Sequence, residues 1–203
     1  MGKNNNFKFY TFFLSFFPWV SFGLLKTDTQ PYILIIIILS LLFNYKVLGF
    51  NKLLSFIIFN ILVGLIFCLI NTSTLLSFET FRFIYGSLLI IFGLIFYSDF
   101  LLRFGYPRKV IISANLIYIL VALFESYNPS FLSFLAVSRT DFGRGVTSLT
   151  PEPSYFGSFL FFCSLSLYIE SGFKLKKDAR IHLVNIIFII FMAKSSIATL
   201  LVV

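Results

Sequence analysis

Charge is scarce in this chain. Of its 203 residues only 12% are Asp, Glu, Lys or Arg, about half of the roughly 25% that a soluble domain uses to cover its surface. That shortfall excludes a water-soluble globule, a nucleic-acid-binding domain and a disordered tail. Cysteine and histidine are scarcer still: Cys68 and Cys163, each inside an apolar run, and His182 alone. With no C-x-x-C pair they support neither a zinc site nor a disulfide framework, and no metal or other cofactor is expected. There is no Gly/Ser-rich linker, no polar domain and no visible internal repeat. In place of all these stand 59% hydrophobic and 20% aromatic residues, Phe alone contributing 30. The abundance of Phe is read as compositional bias acting on lipid-facing positions rather than as a ligand pocket. The composition is that of an integral membrane protein.

A bilayer core of about 30 Å takes roughly 20 apolar residues of helix at about 1.5 Å each. On that measure the sequence predicts an all-α, polytopic helical bundle with about seven spans, near 9–25, 31–44, 53–71, 83–102, 110–126, 154–170 and 183–203. Continuous runs such as Ile33 to Leu39 lack the alternation of β-barrel strands. The apolar stretch after the basic leader runs past Trp19 to Leu25 and no A-x-A site follows, so it reads as a retained first helix rather than a signal peptide. Asn6 stands where myristoylation needs Ser or Thr.

The net charge of +8 then becomes a topology signal. With the N-terminus cytoplasmic, eleven basic residues fall inside: Lys3, Lys8, Lys46, Lys52, Arg103, Arg108, Lys109, Lys174, Lys176, Lys177 and Arg180. Four fall outside, namely Lys26, Arg82, Arg139 and Arg144, and Lys194 lies within the last span. Short loops with that bias obey the positive-inside rule. Nucleic acid is not needed to account for the basic residues. The whole chain, 1–203, is expected to be one transmembrane domain.

The longest connection, 128–153, is the main extracytoplasmic loop. Its first half is mostly apolar; its second carries Arg139, Asp141, Arg144, Thr147, Ser148 and Glu152. Arg144 stands between Gly143 and Gly145, a turn on which a planar guanidinium can be presented to phosphate. Pro151-Glu152-Pro153-Ser154 opens the sixth span, and Ser154 or Glu152 can cap its free N–H groups. The alternative role for Glu152 is a general base at the outer surface. Lys194 breaks the last apolar run, where an intramembrane lysine is costly unless it faces a polar interior. Asp99, Arg103 and Glu125 fall at span ends and read as solvated, headgroup-level charges, with Glu125 of most interest because it adjoins the long loop.

The stretch from Arg144 to Gly157, with its Ser148 and Glu152-Pro153-Ser154, resembles a signature of bacterial polysaccharide polymerases of the O-antigen polymerase and ligase superfamily. The run Lys194-Ser-Ser-Ile-Ala-Thr-Leu-Leu201 is similar to a Ser/Thr-rich segment that follows in the same proteins. The resemblance covers about residues 110–203. It implies an enzyme of the bacterial cytoplasmic membrane that joins oligosaccharide repeat units carried on undecaprenyl pyrophosphate, at the outer membrane face and without a nucleotide. By that resemblance Arg144 and Glu152 would be catalytic, and Arg139, Arg144 and Lys194 would bind the substrate. Flippase and chain-length-regulator proteins would be partners beside the lipid bilayer. Family members have more spans and a second large outer loop, so the chain is expected to be about half of a larger bundle, with little polymerase activity by itself. The alternatives are an O-antigen ligase and a polysaccharide transporter or flippase, for which broken helices and paired intramembrane charges would be the mark.

Overall fold

The computed structural model describes residues 3–20, 30–42, 78–129 and 145–195, together with residues 59, 60, 62–64, 66 and 70, which are helical. All regular secondary structure among the described residues is helical. Two of the helices are long and apolar enough to cross a membrane. The chain divides into two compact units, one made of Met1–Ser15 with Pro31–Gly105, the other of Phe16–Gln30 with Tyr106–Val203.

In the first unit, α1 (Lys3–Leu14) and α2 (Pro31–Leu42) pack on the long α3 (Phe78–Phe104). α1 is shorter than the span expected over 9–25. The reason is Pro18: it has no N–H to give to Leu14, four residues back, and its ring would strike that carbonyl. The chain leaves the helix at Ser15, whose hydroxyl bonds the Phe12 carbonyl at 2.7 Å. α2 buries Ile33, Ile37 and Ser40, one turn apart, while Ile35 and Leu39 stay exposed, so a run without visible pattern still has an inner face. α3 ends where Gly105 takes a left-handed conformation (φ 70) and its N–H closes on the Leu101 carbonyl, as helices with a terminal glycine do.

The core of this unit is aromatic. Phe12 stacks on Phe100 at 4.2 Å between ring centres and meets Tyr97 edge-on at 5.2 Å, and Phe9 meets Phe100 edge-on at 5.0 Å. Phe96 and Phe100 are buried. These phenylalanines are therefore packing residues and not lipid-facing bulk: in offset and edge-on contacts each ring fills the gap between two helices. Asp99 corrects a second expectation. It is buried rather than solvated, held by Lys8 Nζ at 2.6 Å and by Arg103 Nε at 2.6 Å.

The second unit is built on α4 (Arg108–Tyr127), α5 (Pro153–Glu170) and α6 (Ala179–Ile187), the last continued by a π-helical stretch, Phe188–Ala193. α5 and α6 are linked by a turn with Gly172 and Phe173 both left-handed (φ 68 and 63) and a 3-10 segment, Leu175–Asp178. Tyr118 is the centre of the core, stacked between Phe17 and Phe159 and donating its hydroxyl to the Phe16 carbonyl at 2.8 Å. A smaller cluster of Ile111, Cys163 and Leu167 lies under Phe16, Ile112, Phe159 and Ile181. At the far end Arg108 joins Glu170 (2.5 Å) and Asp178, and Lys177 reaches Glu170 at 3.2 Å. All are residues, or neighbours of residues, that the charge count puts on the cytoplasmic side.

Midway along these helices runs a polar link. Asn115 of α4 donates to Asn185 Oδ1 at 3.0 Å, and Asn185 Nδ2 donates to the Leu160 carbonyl and Ser164 Oγ of α5. Asn115 and Asn185 are both buried. Hydrogen bonds of this kind between apolar helices contribute about 0.6–2 kcal/mol each and fix which faces meet.

Candidate functional site

The opposite end of the second unit holds the residues that the long loop contributes. Arg139, Asp141 and Arg144 lie outside the described residues. From Gly145 onward the chain is fixed, and two attachments fix it.

The first attachment is to the end of the last helix. The Val146 N–H donates to the Met192 carbonyl at 2.8 Å. Gly145 (φ 130) lies so close that a Cβ there would stand 2.4 Å from the Ala193 carbonyl oxygen and 3.1 Å from that of Met192. Glycine is required here twice over, for the backbone angle and for the approach. The π-helical turn ends at Ala193, and Lys194 follows in the left-handed conformation (φ 48), exposed. The expected last span over 183–203 is thus corrected in its described part: the helix begins earlier, at Ala179, and stops at Ala193. Lys194 is not inside a continuing helix. It terminates one, at the end where the Arg144–Gly157 stretch is held. The first resembling segment therefore meets, at Gly145–Val146, the Met192–Ala193 backbone that immediately precedes the second.

The second attachment is to Glu125, near the C-terminal end of α4. Its carboxylate accepts the Thr147 N–H at 3.1 Å, the Thr147 hydroxyl at 2.8 Å and the Ser148 N–H at 2.5 Å. Hydrogen bonds to an ionised acceptor contribute about 1.5–3 kcal/mol each, roughly twice a neutral one. Ser148, fully buried, is held left-handed (φ 54) and gives its hydroxyl to the Tyr118 carbonyl at 2.7 Å. A non-glycine residue in that region persists only where its surroundings over-determine it, and here two hydrogen bonds of Ser148, one to Glu125 and one to the Tyr118 carbonyl, do so. Glu125 is therefore not a solvated headgroup-level charge. It binds loop amides.

Beyond Ser148 the chain turns into α5. The Thr150 N–H and hydroxyl both reach the Thr147 carbonyl, at 3.1 and 2.7 Å. Glu152 is the extended residue before the helix (φ −145, ψ 149), and its carbonyl accepts the N–H groups of Tyr155 and Phe156. Its side chain, however, makes no capping bond, and neither does that of Ser154, which instead donates to Glu152 Oε2 at 3.3 Å. Pro153 explains this. At the first helical position it removes one of the N–H groups a cap would serve and fixes the entry angle without one. The Glu152 carboxylate is left half-buried at the N-terminal end of an 18-residue helix.

Of the residues singled out from the sequence, Glu152, Glu125, Thr147, Ser148 and Lys194 thus fall at one end of one unit. The Asn115–Asn185–Ser164 link was not among them. Its signal was present, as Asn115 is a polar residue inside an apolar run, but pairing cannot be read from position alone. Comparison with known proteins gives no match: no family model, no curated protein and no solved structure resembles this chain.

Proposed function

We propose that this chain acts in bacterial polysaccharide polymerisation, as a multi-pass protein of the cytoplasmic membrane with about seven spans. It transfers oligosaccharide repeat units from undecaprenyl pyrophosphate onto one another at the outer membrane face. The observation that carries the reading is the seating of Gly145 and Val146 on Met192 and Ala193. It seats the first of the two family-resembling segments against the backbone immediately before the second, across a helix pair in the chain.

In the reaction an acceptor sugar hydroxyl attacks the anomeric carbon of the lipid-linked donor. A C–O bond forms, the anomeric bond to pyrophosphate breaks, and the lipid pyrophosphate leaves with its negative charge. Glu152 takes the proton from the acceptor hydroxyl. Its carboxylate has the geometry for this, being free of capping bonds and held by one neighbouring hydroxyl. Arg144 and Lys194 offset the charge that builds on the leaving pyrophosphate, one with a planar fork and the other with a compact ammonium. Arg139 holds the pyrophosphate or the acceptor sugar. The bilayer, a flippase and a chain-length regulator are the partners this chemistry calls for.

Replacing Arg144 tests the reading. In source cells lacking the chromosomal copy, Arg144→Ala should collapse long glycan ladders to single repeat units while protein remains in the membrane. Ladders of unchanged length would remove Arg144 from the site.

A further inference from the structure

We infer that Glu125 is a positioning residue of this site, a latch that holds residues 147–148 and, through Thr150, sets where Glu152 meets the substrate. The inference rests on the polymerase reading, and it assigns to a residue outside both sequence motifs the task of holding the first of them. The latch has two halves. On one side Gly145 and Val146 are pressed onto the Met192–Ala193 backbone. On the other, Glu125 takes the N–H groups of Thr147 and Ser148 and the Thr147 hydroxyl. Between these anchors and Glu152 the Thr150 hydroxyl lies 2.7 Å from the carbonyls of both Thr147 and Glu152, so the position of Thr147 is transmitted to the start of α5. A carboxylate suits this task because it offers two oxygens with no donor of its own. The three donors are divided between them, Thr147 on Oε1 and Ser148 on Oε2. An amide in the same place would turn an N–H toward one of those donors, and that bond would be lost.

The arrangement also explains why Ser148 is left-handed. In that conformation the Thr147 and Ser148 N–H groups both face one carboxylate, a concave pair of amides of the kind that binds anions. Here the anion is supplied from within the chain. Loss of its charge frees the loop without disturbing the helices, since α4 and α5 keep their packing through Tyr118 and Phe159.

The test pairs a measurement on the loop with one on the product. In the detergent-solubilised protein carrying Glu125→Gln, hydrogen exchange at the Thr147 and Ser148 amides should run about tenfold faster, with amides inside α4 and α5 unchanged. In cells, the same variant should shorten glycan ladders toward those of Arg144→Ala at equal protein level, and Glu125→Asp, which keeps the charge, should restore intermediate lengths. Unchanged exchange at 147 and 148 would overturn the latch. So would full-length ladders from Glu125→Gln where Arg144→Ala shortens them. Full-length ladders from both variants would overturn the polymerase reading as well, which separates the two failures. If Glu125→Gln does not accumulate, Thr147→Val decides: it removes one donor and leaves the carboxylate, and ladders of undiminished length from it overturn the proposal.

Discussion

Gly145 shows how one residue can decide where a site is assembled. A methyl group there would sit 2.4 Å from the Ala193 carbonyl oxygen, and its φ of 130 is closed to other residues. Gly145→Ala has to push apart two backbones, so it is expected to lower stability by about 3 kcal/mol, overpacking and backbone strain together. Gly172 provides the comparison. It too has a positive φ (68) but open space around it, so Gly172→Ala should cost only the left-handed penalty of about 1–2 kcal/mol. Thermal unfolding in detergent should rank the two in that order, and equal losses would mean that the approach to Ala193 is not tight. The flanking glycines of Arg144 were visible in the sequence, yet they suggested a free turn presenting the guanidinium. For Gly145 the requirement is contact with a carbonyl far along the chain, and no local pattern encodes that. Glu125 was half legible in the same way: its place beside the long loop could be seen, while its conversion from a solvated charge into an acceptor of three hydrogen bonds needed the fold.

Among the elements, long apolar runs were the most legible. The spans read near 83–102, 110–126 and 154–170 correspond to α3, α4 and α5 within a few residues, because a run of that length bounded by Gly or Pro has few other solutions. The run across 9–25 was misleading, since its hydrophobicity continues through Pro18 while the helix does not. Ending at Leu14, α1 (Lys3–Leu14) has its own anchor on α3, the buried Lys8–Asp99 pair, whose partners lie 91 positions apart. Removing one member of such a pair leaves a buried charge unmatched and costs about 3–5 kcal/mol, whereas replacing the pair by apolar residues is often close to neutral. Asp99→Ala should therefore be strongly destabilising. Adding Lys8→Met to it should recover much of the loss, although Arg103, which also bonds Asp99 at 2.6 Å, keeps the recovery incomplete. A double-mutant cycle on unfolding in detergent measures this. Additive losses from the two substitutions would show that Lys8 and Asp99 are not coupled.

For the molecule as a whole, the arrangement of ends matters more than any single contact. In the second unit the helices α4, α5 and α6 with its π-helical extension run alternately. Arg108, Glu170, Asp178 and Lys177 gather at one end, and Glu125, Gly145 and Ala193 at the other. A helix of 20 residues such as α4 spans about 30 Å, the thickness of the hydrocarbon core. Its two ends therefore fall in opposite headgroup layers if it crosses the bilayer. By the positive-inside rule, the excess of Lys and Arg at the first end predicts that this end faces the cytoplasm. Single cysteines in a background free of Cys68 and Cys163 turn this into a measurement. Leu175→Cys, exposed in the 3-10 segment, should react with a membrane-impermeant maleimide only after the cells are opened. Tyr127→Cys, exposed at the end of α4, should react in intact cells. Labelling of both from the same side would deny that α5 crosses the membrane. Reaction in the reverse pattern would put Glu152 and Lys194 in the cytoplasm, where lipid-linked repeat units are built rather than joined, and the polymerase reading would fall with the topology.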